Sequence, residues 1–368
     1  MQSTLLYIGA FLLSMGCGFF FIPLIIRFCL DKGLYDMPNG RKVHKSPIPR
    51  LGGMSFVPSM LLASVIVLFI LSNNSHNTMS ISLWSLYFCI SLFIIYFTGV
   101  IDDLVGLNAT IKFIIEIIAA IIMPLSGLYI NNLYGLFGIH ELPFYLGAPL
   151  TVLVMVFTCN AINLIDGIDG LSSSLTFIAL IGFFIGFYNE DLTFYCIMII
   201  SFMGVLVPYF CYNVFGNIEK HQKIFMGDSG SLSLGFILGF LAIKYCMDTS
   251  RVSYSPSRIM WAWTLLAVPC FDVVRVFFFR IIHHRSPFQP DKNHIHHKLM
   301  ACGLSQHQAL IVILTLQVLL IALNAIAYDN ISLTLILVSD IAVYTAANAV
   351  INVIINHTIS VEQAKQAA

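Results

Sequence analysis

An all-α membrane protein of about eleven spans is the fold class that the sequence predicts, and three observations predict it. Apolar residues fill 58% of the 368 positions and charged residues only 10%, with a mean hydropathy of +0.89, well beyond an average soluble domain. Apolar runs of roughly 20 residues, each enough to cross a bilayer as a helix, recur along the whole length. Basic residues collect in alternate loops, as the positive-inside rule requires of a polytopic chain.

In order, the runs fall at 4–26, 51–71, 81–101, 109–129, 145–164, 171–188, 192–212, 230–247, 259–282, 308–327 and 331–355. The first lacks a basic leader and is too long for a signal-peptide core, so it reads as a retained span. Pro124, Pro149, Pro208 and Pro269 lie inside later runs and mark places for a kink, because proline removes a backbone donor and crowds the preceding turn. If the loop from Arg27 to Arg50 is cytoplasmic, strict alternation leaves only Lys244, Arg251 and Arg258 outside, of 18 lysines and arginines. The N-terminus is then outside, the C-terminus cytoplasmic, and residues 1–368 form one membrane domain with loops 27–50, 102–111, 160–170, 213–229 and 283–307 on the cytoplasmic face.

Zero net charge and the lack of any long basic run exclude a nucleic-acid partner, which needs cations to displace phosphate counterions. Nine cysteines without a CxxC pair support neither a disulfide framework nor a zinc site.

Four polar clusters interrupt the apolar chain, and the orientation brings all of them to the cytoplasmic face although none was used to derive it. They are Asp102-Asp103, the segment Asn160 to Gly170, the segment Phe225 to Ser231, and His294-Ile295-His296-His297. A carboxylate near lipid costs roughly 2.5 to 3.5 kcal/mol at a span centre, so clustered acids imply a metal, a partner or a cavity. Asp102 and Asp103 close one span and Lys112 opens the next, which puts acids and a base at one hairpin mouth. On a continuing helix Asn163, Asp166 and Asp169 would share a face. Asp228, between glycines and beside Ser229 and Ser231, suits Mg²⁺ as a hard oxygen ligand; Asp228 or Ser229 can also cap the next helix, and the two roles are compatible. The histidines lie in a basic loop and point to a diphosphate more than to zinc, given the acids around them.

In sequence order VIDDLVGL, NAINLIDGIDGL, FMGDSGSL and PDKNHIHH resemble the polyprenyl-phosphate N-acetylhexosamine-1-phosphate transferase superfamily, from the first loop to the histidines. The spacing is most similar to its bacterial branch that starts O-antigen, common-antigen or teichoic-acid linkage synthesis. Ile295 interrupts the run of three histidines usual in the murein branch. The resemblance implies a bacterial inner-membrane enzyme that moves a UDP-linked N-acetylhexosamine 1-phosphate, N-acetylglucosamine foremost, to undecaprenyl phosphate. It implies Mg²⁺, or Mn²⁺ in its place, and a homodimer as an added partner. By position, Asp102 or Asp103 is the candidate base and Lys112 a diphosphate contact. Asn163 and Asp228 are the metal ligands, and Asp166 is a second acid near the metal. Asn160 accompanies them on the substrate side; Asp169 and Phe225 lie toward the uracil. His294, His296 and His297 lie near the diphosphate, and Lys45 is a basic residue ahead of the Gly52-Gly53 turn.

Two other readings compete. A phospho-N-acetylmuramoyl-pentapeptide transferase shares the motifs. An ion-coupled transporter or flippase would use intramembrane acids, for which Asp272 and Arg275 inside the run 259–282 are the candidates.

Overall fold

A computed structural model describes residues 2–36, 47–74, 83–249, 254–286 and 292–367. Each of the eleven apolar runs contains helix among its described residues. Helix α1 (Gln2–Lys32) leads to a short antiparallel ribbon, β1 (Tyr35–Asp36) and β2 (Ile48–Pro49), with Asp36 opposite Ile48. A 3-10 turn at Gly52–Ser55 opens into α2 (Phe56–Asn74). Helices α3 (Leu83–Val105) and α4 (Ala109–Leu125) form a hairpin, with Asn108 capping α4 through its side-chain oxygen. At the other end of α4 stands a second ribbon, β3 (Asn132–Leu136) and β4 (Ile139–Glu141).

Helices α5 (Phe144–Ile165), α6 (Leu171–Asn189), α7 (Thr193–Val214) and α8 (Asp228–Cys246) complete the central bundle. They are followed by α9 (Ser257–Leu265), α10 (Ala267–Ile282), the short α11 (Ile295–Ala301), α12 (Gln306–Ala327) and α13 (Leu333–Ala367). Ser305 and Gln308 make a reciprocal capping box at the start of α12.

Nine helices among the described residues are long and apolar enough to cross a membrane. The two expected spans outside that set differ for stated reasons. The run 109–129 yields α4, only 17 residues long, because Pro124 and Gly127 end it. The run 259–282 is two helices rather than one, parted at Leu266. Pro269 sits in the first turn of α10, where its missing N–H leaves no donor for the carbonyl of Leu265. Pro149 and Pro208, by contrast, are carried within α5 and α7. Several expected loops prove partly helical: 102–105 ends α3, 160–165 ends α5, and 295–301 forms α11.

Helix α8 is the axis, buried along nearly its whole length and packed by α3, α5, α6 and α9. Lipid tails are as apolar as leucine, so close van der Waals approach rather than water exclusion must hold such helices together. Small residues provide it. A Cβ on Gly99 of α3 would stand 2.5 Å from the Cα of Ser229, and one on Gly235 would stand 2.6 Å from the Cα of Cys159 in α5. The Gly52-Gly53 turn closes the same end: a Cβ on Gly53 would lie 2.1 Å from the backbone of Gly230.

That contact is backbone against backbone and has no flexible side chain to yield, so Gly53→Ala must displace the turn from α8. Overpacking of this kind costs about 1–3 kcal/mol. Thermal unfolding of the detergent-purified variant should show a lowered midpoint, whereas Gly9→Ala, whose Cβ meets nothing within 4 Å, should melt like the parent.

Candidate active site

Helix ends and the loops between them converge on one cavity of about 420 Å³, lined by residues of β1, α3, α5, the 166–170 loop, α7, the 225–231 segment, α11 and α12. Its shape starts with backbone pairing. The Phe225 N–H donates to the Pro49 carbonyl at 2.7 Å; the Gly52 and Gly53 N–H groups donate back to the carbonyls of Phe225 and Met226 at 2.9 and 2.8 Å. This brings Arg50, Phe225 and Gly227 together on one wall. Gly227 adopts φ 73°, and a Cβ there would strike the Arg50 carbonyl at 2.2 Å and the Asp103 carboxylate at 2.5 Å, so only glycine fits.

The two adjacent aspartates have different tasks. Consecutive helical residues point about 100° apart, and Asp103 turns inward, 5% exposed. Its two oxygens accept from the backbone N–H groups of Asp228 and Ser229 at 2.8 and 2.9 Å. It thereby caps the buried N-terminus of α8 from another helix; neither Asp228 nor Ser229 caps its own. Asp102 faces the cavity, accepting from the Leu107 N–H at 2.5 Å and the Lys112 ammonium at 3.3 Å. Lys112 also donates to Asp228 and so bridges the acids of α3 and α8. Asn163 completes the group, its Nδ2 donating to Asp228 Oδ1 at 3.1 Å and to Ser231 Oγ at 2.8 Å.

Helix α5 stops at Ile165, so Asn163 and Asp166 do not continue along one helical face. Asp166 is the C-cap, and Asp169 lies in the following loop. Burial, then the charges of Asp169, Asp228 and Asp103, push the Asp166 carboxyl up to about 7. Asp169 pairs with Lys223 at 2.7 Å. Asn213 stitches this loop to the opposite wall: it accepts from the Gly170 N–H at 2.7 Å and donates to the Ile224 carbonyl at 2.9 Å.

The histidines divide as well. His297 lines the cavity. His296, 1% exposed, packs on Gly167, where a Cβ would meet its Nε2 at 2.1 Å. Burial, with the imidazoles of His297 and His294, pulls His296 down to about 3, so the ring is neutral at physiological pH. His294 is buried and turned away, bonded to Asp272 at 2.7 Å. Asp272 is fully buried among its partners and does not line the cavity.

Asp102, Asp103, Asn163, Asp166, Asp169, Phe225, Asp228 and His297 all line the cavity, with Lys112 bonded to two of them. Asn160 does not; it sits one turn deeper and donates to Glu116 at 2.5 Å and to the Val156 carbonyl at 2.9 Å. Lys45 lies outside the described residues. Asp36, Arg50, Asn213 and Gln306 join the lining unanticipated, and Glu116 underlies it. Glu116 had a signal: it stands four residues after Lys112, on the same face of an otherwise apolar helix.

Six carboxylates line the cavity against the Arg50 guanidinium and the ammonium groups of Lys112 and Lys223 bonded to three of them, an excess of acid that disfavours an anionic ligand unless a cation enters with it. Asp228, Ser231 and the amide oxygen of Asn163, presented by rotation of that amide, are hard oxygen donors suited to a divalent ion. Among the described residues no three His, Cys, Asp or Glu side chains converge as a metal cage.

Fold and site together define a membrane-spanning helical bundle with a polar cavity at its helix ends. The model for glycosyl transferase family 4 matches residues 84–246, the stretch from α3 to α8 that carries Asp102, Lys112, Asn163, Asp166 and Asp228. The chain is 30% identical over 337 residues to an undecaprenyl-phosphate alpha-N-acetylglucosaminyl 1-phosphate transferase of Yersinia pestis, covering 90% of this chain and 85% of that protein. It is 31% identical over 302 residues to the protein so named in Escherichia coli K12, covering 80% and 77%. It is 32% identical over 305 residues to a probable undecaprenyl-phosphate N-acetylglucosaminyl 1-phosphate transferase of Bacillus subtilis, covering 83% and 80%. The chain belongs to glycosyl transferase family 4.

Loss of the α8 cap and loss of the lysine bridge are separable. Asp103→Ala should lower unfolding stability by about 1–2 kcal/mol, as removal of a good helix cap does. Asp102→Ala, which leaves both capping bonds in place, should lose activity while its melting midpoint stays nearer the parent. Thermal melts and turnover measured on the same preparations check both.

Proposed function

We propose that the protein transfers N-acetylglucosamine 1-phosphate from UDP-N-acetylglucosamine to undecaprenyl phosphate, releasing UMP and starting a lipid-linked cell-surface polysaccharide. The observation that carries the reading is the Asp102–Lys112–Asp228–Asn163 group, set at helix ends beside an acid-lined cavity. The names of the bacterial relatives supply the donor sugar and the acceptor lipid.

The reaction joins two anions. An oxygen of the lipid phosphate attacks the β-phosphorus of the nucleotide sugar; the bond from that phosphorus to the bridging oxygen breaks, and UMP departs with the electron pair. Little covalent work is left to the protein, so catalysis rests on alignment and charge. A phosphate monoester has its second pKa near 6, so much of the acceptor is dianionic at neutral pH and needs orientation more than proton removal. Asp102 is the residue placed to orient it through Lys112. Mg²⁺, held by Asp228 and Asn163, would supply neutralising charge on the diphosphate. Lys112, Arg50 and His297 add donors around the same space. Asp169, Lys223 and Phe225 form the wall assigned to the uracil.

The placement of the site on span ends suits a reaction with one substrate in lipid and one in water. The basic-residue asymmetry supports a cytoplasmic site, with the N-terminus outside and the C-terminus inside.

The test is UMP release by detergent-purified protein given undecaprenyl phosphate, UDP-N-acetylglucosamine and Mg²⁺. Release should vanish with a chelator and return with excess Mg²⁺. Asp228→Ala should lower it by about 10²-fold or more, on the scale of losing a charge-stabilising group. Folded protein that releases no UMP from this donor, yet does so from another UDP-sugar, would overturn the sugar assignment alone.

A further inference from the structure

Outside the cavity, a dense set of polar contacts among the described residues surrounds Asp272. This carboxylate is 0% exposed, in the apolar environment of α10, yet all of its acceptor capacity is used. Its Oδ1 accepts from Arg275 Nη2 at 2.7 Å, the Ile295 backbone N–H at 3.1 Å and the Tyr344 hydroxyl at 3.0 Å. Its Oδ2 pairs with His294 Nδ1 at 2.7 Å, which fixes that nitrogen as the protonated one. Arg275 also donates to the Asn293 carbonyl. Asp272 and Arg275 therefore grip three successive residues, 293 to 295, and Tyr344 ties the same carboxylate to α13.

What those three residues precede gives the clamp its significance. The next two are His296, seated on Gly167 of the 166–170 loop, and His297, which lines the cavity. The clamp sets where α11 begins, and the start of α11 sets where both rings point. A charged clamp suits this task better than apolar packing does. Three directional bonds, to Asn293, His294 and Ile295, define one position and orientation for the segment, whereas dispersion contacts tolerate sliding. Burying the carboxylate costs several kcal/mol before its partners repay it, so stability alone is a weak reason for its presence.

We propose that Asp272 is a positioning residue for the transfer reaction: through His294, Arg275 and Tyr344 it holds the start of α11 so that His297 presents its imidazole to the reacting phosphates. Asp272 touches no substrate and acts only through the loop. The proposal rests on the function proposed above, in which His297 contacts the phosphates.

A double-mutant cycle on UMP release tests it, with Asp272→Asn and His297→Ala made singly and together and each protein's melting midpoint recorded. Asp272→Asn should lower turnover by about 10- to 100-fold, the scale of a misplacement near 1 Å at a reacting centre. In the His297→Ala background the same change should cost less than about 3-fold, because the ring it positions is already gone. A purely structural clamp would instead cost the same factor in both backgrounds, and that result overturns the proposal, as does full activity in Asp272→Asn. If His297→Ala alone is fully active, the role given to His297 fails first and the proposal falls with it, while Mg²⁺-dependent UMP release by the parent still upholds the transferase. Should Asp272→Asn fail to fold, Tyr344→Phe removes one of the four donors, leaves the carboxylate in place, and runs the same cycle at an expected 2- to 5-fold amplitude. Equal loss from Tyr344→Phe in both backgrounds again overturns it.

Discussion

Everything at the reactive end of the bundle depends on a carboxylate from one helix closing the end of another. Helix α8 runs through the middle of the protein, and its first N–H groups have no water to turn to. Unpaired, each would carry a desolvation cost of about 1–3 kcal/mol. Asp103 satisfies two of them, and the favourable field of the helix N-terminus strengthens the bonds. The glycine one turn earlier, Gly99, lets α3 come close enough for the reach. Asp228 is the first residue of the helix so capped, and its side chain has no freedom to wander from Lys112 and Asn163.

Several polar groups inside the bundle are answered from a different helix. Asn160 of α5 answers Glu116 of α4, and Asn324 of α12 answers Asp340 of α13 at 2.8 Å, with Trp263 of α9 donating to the same oxygen at 3.1 Å. These pairs add orientation to helices that would otherwise be held by shape alone. In lipid such bonds are worth about 0.6 kcal/mol on average, modest in energy but strict in geometry. The combination of glycine contacts for proximity and amide or carboxylate pairs for direction explains how loosely amphipathic helices come to hold a site in register.

Hydropathy is a local property summed over 20 residues, and for that reason the helices were legible in the sequence, and the motif acids at their ends with them. Local reading failed where a residue's role is set by a distant chain segment. Asp102 and Asp103 are identical letters side by side, and only the position of α8, some 125 residues later, makes one a cap and the other a cavity wall. Asn160 looked like a partner of Asn163, three positions on, yet its amide is spent on Glu116. His294, His296 and His297 read as one cluster, and their rings do lie side by side with successive centroids 6.0 and 4.2 Å apart, but only His297 reaches the cavity because the helix starts between them. Arg50 and Asn213 gave no motif signal, since their value comes from backbone pairing between 49–53 and 225–226 and from a bridge to Gly170.

The contact between Gly167 and His296 has an evolutionary consequence. Two segments about 130 residues apart occupy one volume, and the missing β-carbon of the first is the space that the imidazole of the second fills. Neither position can drift alone: a side chain at 167 is admissible only after the ring at 296 has shrunk, and a smaller residue at 296 opens a void beneath the 166–170 loop. The pair should therefore be inherited as a unit, and a chimera that takes the two segments from different ancestors would inherit a collision or a hole.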